Sequence, residues 1–408
     1  MTFWNHFIPN IYIFLSIYVV VYPIITSVMW VIFSVYYKFH WEEHTHEKYE
    51  PHTPKVSIIV PAYNEGKGIV KGIKAILEIK YSDFEVVIVN DGSRDKTLEL
   101  CKPFLSDPRV RIIDKKVNQG KALALNDALP CLNGDIVVIL DADAEPDHSL
   151  LTHIVWQFRF ARVGAVTGHP RVKNVVNILS RIQVVEFASI IGLLRRSQRI
   201  FGRIVTVSGI VAAFRKEAIY DVNGFSPDMY TEDIEITWKL QRRFWDIRYE
   251  PRAIVWMDVP TTFRAFFKQR LRWARGLMQV LKRHAGVIVS WKTRKMWPIY
   301  YESCLSTFWC LAYGIVFTVE LIRFPITLAF SEPINIEFQW ITALFTACLL
   351  QLFMGVVLEF KHDKEVWKYI PYAIFYPLFY WVFMVIITLF ALPVLFLPER
   401  VVRWSSTR

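Results

Sequence analysis

Residues 7–37 contain no charged side chain, and no other feature limits so sharply what the chain can fold into. Those 31 residues would make a helix about 46 Å long, whereas the hydrocarbon core of a bilayer needs only ~20 residues. The run predicts one long tilted span, with a hairpin broken near Pro23 as the alternative. It is too long, and lacks the basic flank, for a cleaved signal peptide. Apolar blocks return over about 299–321, 338–358 and 369–397. The loop between the first two carries Glu332 and Glu337, and the next carries Lys361, Lys364 and Lys368. The positive-inside rule therefore places the lysine loop, and with it the middle of the chain, in the cytoplasm. A single last crossing would leave the basic tail Arg400 to Arg408 outside. Pro371, Pro377 and Pro393 give that block the means to bend or re-enter.

Between these blocks the composition is that of a soluble domain. With 53% hydrophobic and 21% charged residues, a disordered or fibrous chain is excluded. The net charge of +11 sits beside the apolar blocks, which fits a membrane surface and not nucleic acid. Five cysteines with no CxxC pair indicate neither a disulfide framework nor a zinc site. Four regions follow: an N-terminal membrane helix region (1–50), a soluble domain (51–258), a basic amphipathic segment (259–296) and a C-terminal region of about three spans (297–408).

Buried strands are predicted over 56–60, 86–89, 110–113 and 136–140, with helices over about 66–79 and 120–129 between them. That alternation implies parallel pairing in an α/β fold, with ligands beyond the carboxyl ends of the strands. Three of these ends carry polar groups: Tyr63-Asn64-Glu65, Asn90-Asp91-Gly92-Ser93 and Asp141-Ala142-Asp143. Turn chemistry alone accounts for any one of them. Three on one edge point to a site. There is no Walker A motif and no GxGxxG. The DxD pair, Asp141 and Asp143, offers another way to hold phosphates, through a hard divalent cation with oxygen ligands.

Thr231-Glu232-Asp233 reads as a helix start, with a threonine cap and acids complementing the dipole. Its functional reading is that one of the two carboxylates is a general base that takes the proton of a sugar hydroxyl. Segment 259–296 holds ten Lys/Arg and no Asp or Glu, interleaved with aromatic residues, as in a helix lying on an anionic leaflet. Within it Gln269, Arg272 and Trp273 share one helical face. Arg272 suits a diphosphate and Trp273 suits a sugar ring, a combination that lipid binding does not require.

Taken in order, these motifs and Gln269-Arg270-Leu271-Arg272-Trp273 resemble the processive family 2 glycosyltransferases of the membrane polysaccharide synthase type, over the whole chain. The stretches 166–174, 186–192, 231–241 and 249–253 resemble the bacterial enzymes that polymerise β-1,6-linked N-acetylglucosamine, with two departures near the expected acceptor region. His169 stands where that group has Asn, and Arg275 where Gln is expected. The resemblance implies a cytosolic GT-A-type (Rossmann-like) domain flanked by transmembrane helices in a bacterial plasma membrane. It implies an inverting transferase from UDP-N-acetylglucosamine with export of the polymer, and a small membrane partner subunit. By the same resemblance, Tyr63, Glu65 and Asp91 hold the uridine and Lys121 helps at the nucleotide. Asp141 and Asp143 bind the diphosphate with Mg2+ or Mn2+, and Asp143 is the more direct ligand. Asp233 is the base with Glu232 beside it, and Gln269, Arg272 and Trp273 meet the polymer end. Hyaluronan, cellulose or chitin-like synthesis by the same mechanism is the near alternative. A transporter with a nucleotide-binding regulatory domain is the distant one.

Overall fold

A computed structural model describes residues 2–42, 53–329, 338–398 and 400–403. Eight strands form one sheet: β1 (Val56–Ala62), β2 (Phe84–Asp91), β3 (Val110–Lys115), β4 (Ile136–Leu140), β5 (Glu145–Pro146), β6 (Val163–Val172), β7 (Val211–Arg215) and β8 (Asp246–Met257). Their order is β3-β2-β1-β4-β7-β6-β8-β5. The predicted parallel core is present: β1 pairs in parallel with β2 and β4, and β2 with β3. Beyond it, β7 runs antiparallel to both β4 and β6.

The apolar runs are continuous because the sheet is covered on both faces. Val56, Ile58 and Val60 pack with Ile69, Ile73 and Ile76 of the helix Ile69–Leu77. Ile59, pointing the other way, joins Val87, Val137 and Leu125. Full burial of each such side chain contributes about 1.5–3 kcal/mol. The sheet order reverses between β1 and β4, so the loops after β1, β2 and β4 open onto one crevice at a topological switch point.

Among the described residues three helices are long and apolar enough to cross a membrane: Asn10–Glu42, Trp291–Arg323 and Thr342–Glu359. The first is unbroken at Pro23, so the hairpin alternative falls away. Proline has no N–H to offer the carbonyl four residues back. The Trp309 indole N–H takes that place, donating to the Val19 carbonyl at 2.9 Å. Ser27 donates to Gln351 Oε1 at 2.7 Å, tying the first helix to the third.

The last apolar block is not one spanning helix. It is a 3₁₀ segment (Lys364–Ile374), a π-helical turn (Tyr376–Tyr380), an α-helix (Trp381–Ala391) and a 3₁₀ turn (Leu392–Leu395), with Pro371, Pro377 and Pro393 in the non-α pieces. Each proline removes a helical donor and locally displaces the α ladder. The block runs beside the basic helix Phe263–Arg283, with Phe383 and Ile387 on Phe266, and Ala391 and Val394 on Met278. The Val402 N–H then donates to the Pro227 carbonyl at 2.9 Å, so the tail returns to the α/β domain. The expected acidic loop 331–337 lies outside the described residues.

Domain and membrane helices meet at Arg196, which is completely buried. Its Nε and Nη2 donate to the two oxygens of Glu42 at 2.9 and 3.2 Å, and its Nη1 donates to Glu359 Oε1 at 2.7 Å. His169 belongs to this junction and not to an acceptor region. One ring nitrogen is 2.6 Å from the Tyr249 hydroxyl and the other 3.0 Å from Glu359 Oε2. An imidazole, with polar atoms on both edges, can bridge the sheet to the end of a membrane helix.

Candidate active site

The loop after β1 is shaped by Asn64, which adopts a left-handed conformation (φ 56°) open to few residues other than Gly, Asn and Asp. Its backbone N–H donates to the Ser93 hydroxyl at 3.0 Å, and its side chain accepts from the Arg94 N–H at 2.8 Å. The Glu65 N–H donates to Thr97 Oγ1 at 2.8 Å. Tyr63 and Glu65 are thereby fixed, half-buried, at the rim of the crevice.

Asp91 does something different from what its motif suggests. It is fully buried, and its carboxylate accepts from the backbone N–H groups of Gln119 (3.1 Å) and Gly120 (2.8 Å), with Lys115 Nζ at 3.3 Å. It holds the 118–120 loop in place instead of facing the crevice. Gly120 has φ 100°, and a Cβ there would lie 2.3 Å from the Val402 carbonyl oxygen, so only glycine admits the returning tail.

Lys121 opens the next helix and reaches into the centre of the site. Its ammonium lies 2.7 Å from Asp141 Oδ1, 2.8 Å from the Gly209 carbonyl and 3.5 Å from Glu232 Oε1. Against the cost of burial, the carboxylates of Asp141 and Glu232 hold it above the ordinary lysine range. Asp143 sits two residues on and is half-buried. Among the described residues no group of three or more His, Cys, Asp or Glu could cage a metal. Two adjacent carboxylates instead suit a hard cation that takes its remaining oxygens from a bound diphosphate.

Glu232 and Asp233 begin the helix Glu232–Arg242, whose first turn is acidic and whose last turn is basic, with Lys239 and Arg242. Thr231 stands at the cap position, yet its side chain makes no capping bond and its hydroxyl is buried without a partner. Packing takes precedence there over capping. A Cβ at Gly276 of the basic helix would lie 1.9 Å from Thr231 Oγ1, so glycine alone allows the two helices to approach this closely. Burial, and then the neighbouring Glu232 carboxylate, push the Asp233 carboxyl up to about 6, against the opposing pull of Lys121 and Arg272.

From the basic helix, Arg272 donates to the Tyr230 carbonyl at 3.4 Å, and the Arg275 guanidinium stands 5.9 Å from the Tyr230 ring centroid. Trp273 packs against the cluster of Val172, Phe187, Met257 and Val259, as does Ile210, whose carbonyl accepts from the Asp141 N–H at 3.3 Å. Gln269 is half-buried, with its Oε1 unpartnered. The structure thus gathers Lys121, Asp141, Glu232 and Asp233 into one cluster, with Asp143 on the same strand end and the Gln269–Trp273 face on the adjoining helix. Sequence reasoning missed Gly209 and Ile210, whose carbonyls join Lys121 and Asp141. Their only signal was a Ser-Gly pair ahead of an apolar strand. It also missed Glu186, a single acid in an apolar run, which accepts from Arg270 Nη2 at 2.8 Å.

Residues 57–222 match glycosyl transferase family 2. Over 387 residues the chain is 33% identical to the poly-beta-1,6-N-acetyl-D-glucosamine synthase of Staphylococcus epidermidis, covering 91% of this chain and 92% of that one. It is 36% identical over 294 residues to the synthase of the same name from Staphylococcus aureus, covering 71% of each. Among solved structures it resembles a Pyrobaculum calidifontis mannosyltransferase in complex with GDP-Man and Mn2+. The TM-score is 0.60 at 23% identity, over 83% of this chain and 97% of that one.

Proposed function

The chain belongs to glycosyl transferase family 2 and is a hexosyltransferase, and from that premise we propose that it polymerises N-acetylglucosamine from UDP-N-acetylglucosamine into a β-1,6-linked polysaccharide, coupled to export. The observation that carries the mechanism is the Lys121 ammonium, 2.7 Å from the DxD carboxylate and 3.5 Å from the acid preceding Asp233. It supports a donor diphosphate and an acceptor hydroxyl meeting at one point.

Tyr63 and Glu65 take the uridine, and Asp91 acts by holding the 118–120 loop. Asp141 and Asp143 would hold Mg2+ or Mn2+, which when bound neutralises charge on the leaving diphosphate. Asp233 removes the proton from the acceptor hydroxyl. The new oxygen–C1 bond forms as the bond from C1 to the phosphate oxygen breaks, so UDP departs with the electron pair and the anomeric centre inverts. Lys121 and Arg272 are cations already in place where negative charge accumulates, which lowers the barrier. Gln269 and Trp273 receive the polymer end. The exposed Lys268, Lys292, Arg294 and Lys295 support a cytoplasmic face for this side of the protein.

Membranes containing this protein alone test the reading, and also ask whether a small partner subunit is needed. Supplied with UDP-N-acetylglucosamine and Mg2+, they should yield polymer with 1,6 linkages by methylation analysis. A requirement for UDP-glucuronate as a second donor would move the assignment to hyaluronan. Polymer only from UDP-glucose would move it to a glucan.

A further inference from the structure

The residues 178–200 form one helical rod in three pieces: an α-helix (Ile178–Phe187), a π-helical turn (Ala188–Leu193) and a second α-helix (Leu194–Ile200). One end carries Arg196, which is clamped to the membrane-helix carboxylates Glu42 and Glu359. The first piece carries Glu186 just before the π-helical turn, and only 1% of it is exposed. Both Glu186 oxygens are used. Oε2 accepts from Arg270 Nη2 at 2.8 Å, and Oε1 accepts from the Tyr380 hydroxyl at 2.7 Å. Arg270 is itself 4% exposed, and its guanidinium lies 4.2 Å from the Trp273 ring centroid and 4.8 Å from that of Phe266. Trp273 is therefore held between the guanidinium and an apolar shelf that includes Phe187, the neighbour of Glu186.

We propose that Glu186 is a positioning residue for the polymer end, acting through Arg270 to fix the plane of Trp273. The inference rests on Trp273 being the acceptor platform proposed above. A buried guanidinium without its carboxylate is strongly unfavourable and moves toward water. Arg270 cannot do so without leaving the Trp273 ring, which then loses one of the two surfaces that hold it. The donor groups are spared, because Lys121 is tied to Asp141 and Glu232 on other elements, while Glu186 spends its two oxygens on Arg270 and Tyr380. The π-helical turn connects this device to the membrane: Gln351 Nε2 donates to the Ser189 hydroxyl at 3.2 Å, and Gln351 in turn accepts from Ser27. Insertions of this kind are frequent at functional sites in helices.

Glu186→Gln tests the proposal in membranes, since it keeps the side-chain shape and removes the charge. Sugar incorporation should fall by about tenfold or more and mean product length should shorten, the scale on which misplacement of a reacting group is felt. The donor KM and the affinity for UDP should stay within about twofold of wild type, as for a change confined to the acceptor end. A purely structural role would lower UDP binding and incorporation together, and that result overturns the proposal, as does unchanged product length. If Glu186→Gln fails to accumulate, Tyr380→Phe carries the test. It removes one bond on the carboxylate and keeps the charge, and shortened product at unaltered donor KM is again expected, while wild-type product length overturns the proposal. Wild-type membranes that bind UDP but turn over no donor would instead bring down the proposed function, a result distinct from either.

Discussion

Lys121 and Asp141 are 20 residues apart in the chain and 2.7 Å apart in space, and the same ammonium stands 3.5 Å from Glu232. One cation therefore joins the end of β4 to the start of the helix Glu232–Arg242. Lys121→Met should lower kcat/KM by about tenfold or more, the order expected for a lost prepositioned charge. It should also raise the pH at which activity appears, because Lys121 helps keep Asp233 ionised. Initial rates of UDP release across pH check both.

Asp233→Asn should bind UDP as wild type does and lose about 10²–10⁴-fold in transfer, the usual contribution of a positioned base. Calorimetric UDP titration beside polymer formation separates the two effects. Polymer made at the normal rate would remove Asp233 from the mechanism.

The pH dependence has a definite sign. In the proposed role of base Asp233 must be ionised, and its carboxyl is pushed up to about 6 by burial and by Glu232. kcat/KM should therefore rise with pH through about 6 and level off above it. Glu232→Gln removes the like charge, so the acid limb should move to lower pH. For folding, a carboxyl raised in the native state costs stability once it ionises. Asp233 therefore favours the fold at pH below its unfolded value and progressively less as pH rises through about 6.

Gly276→Ala places a methyl group 1.9 Å from Thr231 Oγ1. Overpacking of this sort costs about 1–3 kcal/mol. The melting temperature should fall, and transfer should fall further than stability alone explains, because Thr231 directly precedes the two site carboxylates. Thr231→Ala in the same chain should recover part of both losses.

Arg196→Met leaves Glu42 and Glu359 buried without their shared cation. Breaking a buried pair in this way costs about 3–5 kcal/mol. Thermal unfolding in detergent should shift down accordingly. Arg196→Lys should restore little, since an ammonium cannot donate to both carboxylates from a planar fork.

Much of this site was legible in the chain because its chemistry sits at strand ends. Continuous apolar runs set β1, β2 and β4, and whatever polar residues follow such strands in a parallel sheet face the same edge. That is why Tyr63, Glu65, Asp141 and Asp143 share one rim. Asp91 belongs to the same pattern, yet it is turned inward by two backbone N–H groups that only the three-dimensional path of residues 118–120 brings near. The antiparallel β7 was illegible because pairing direction depends on a crossover, not on local periodicity. His169 looked like a change at the sugar site because sequence shows the neighbour Pro170 but not Glu359, which lies far along the chain. The last apolar block had the composition of a span, and only the packing of Phe383 and Ala391 against the basic helix shows that it lies alongside that helix.

The Arg196 clamp also sets an order of events during synthesis. Its first partner, Glu42, lies 154 residues before it, and its second, Glu359, lies 163 residues after it. A nascent chain can thus form the α/β domain long before the second carboxylate has left the ribosome. Until then the guanidinium has one of its two anions, and the domain is held to the membrane helices from one side of the clamp only. A chain interrupted before Glu359 would keep only the Glu42 half of the clamp.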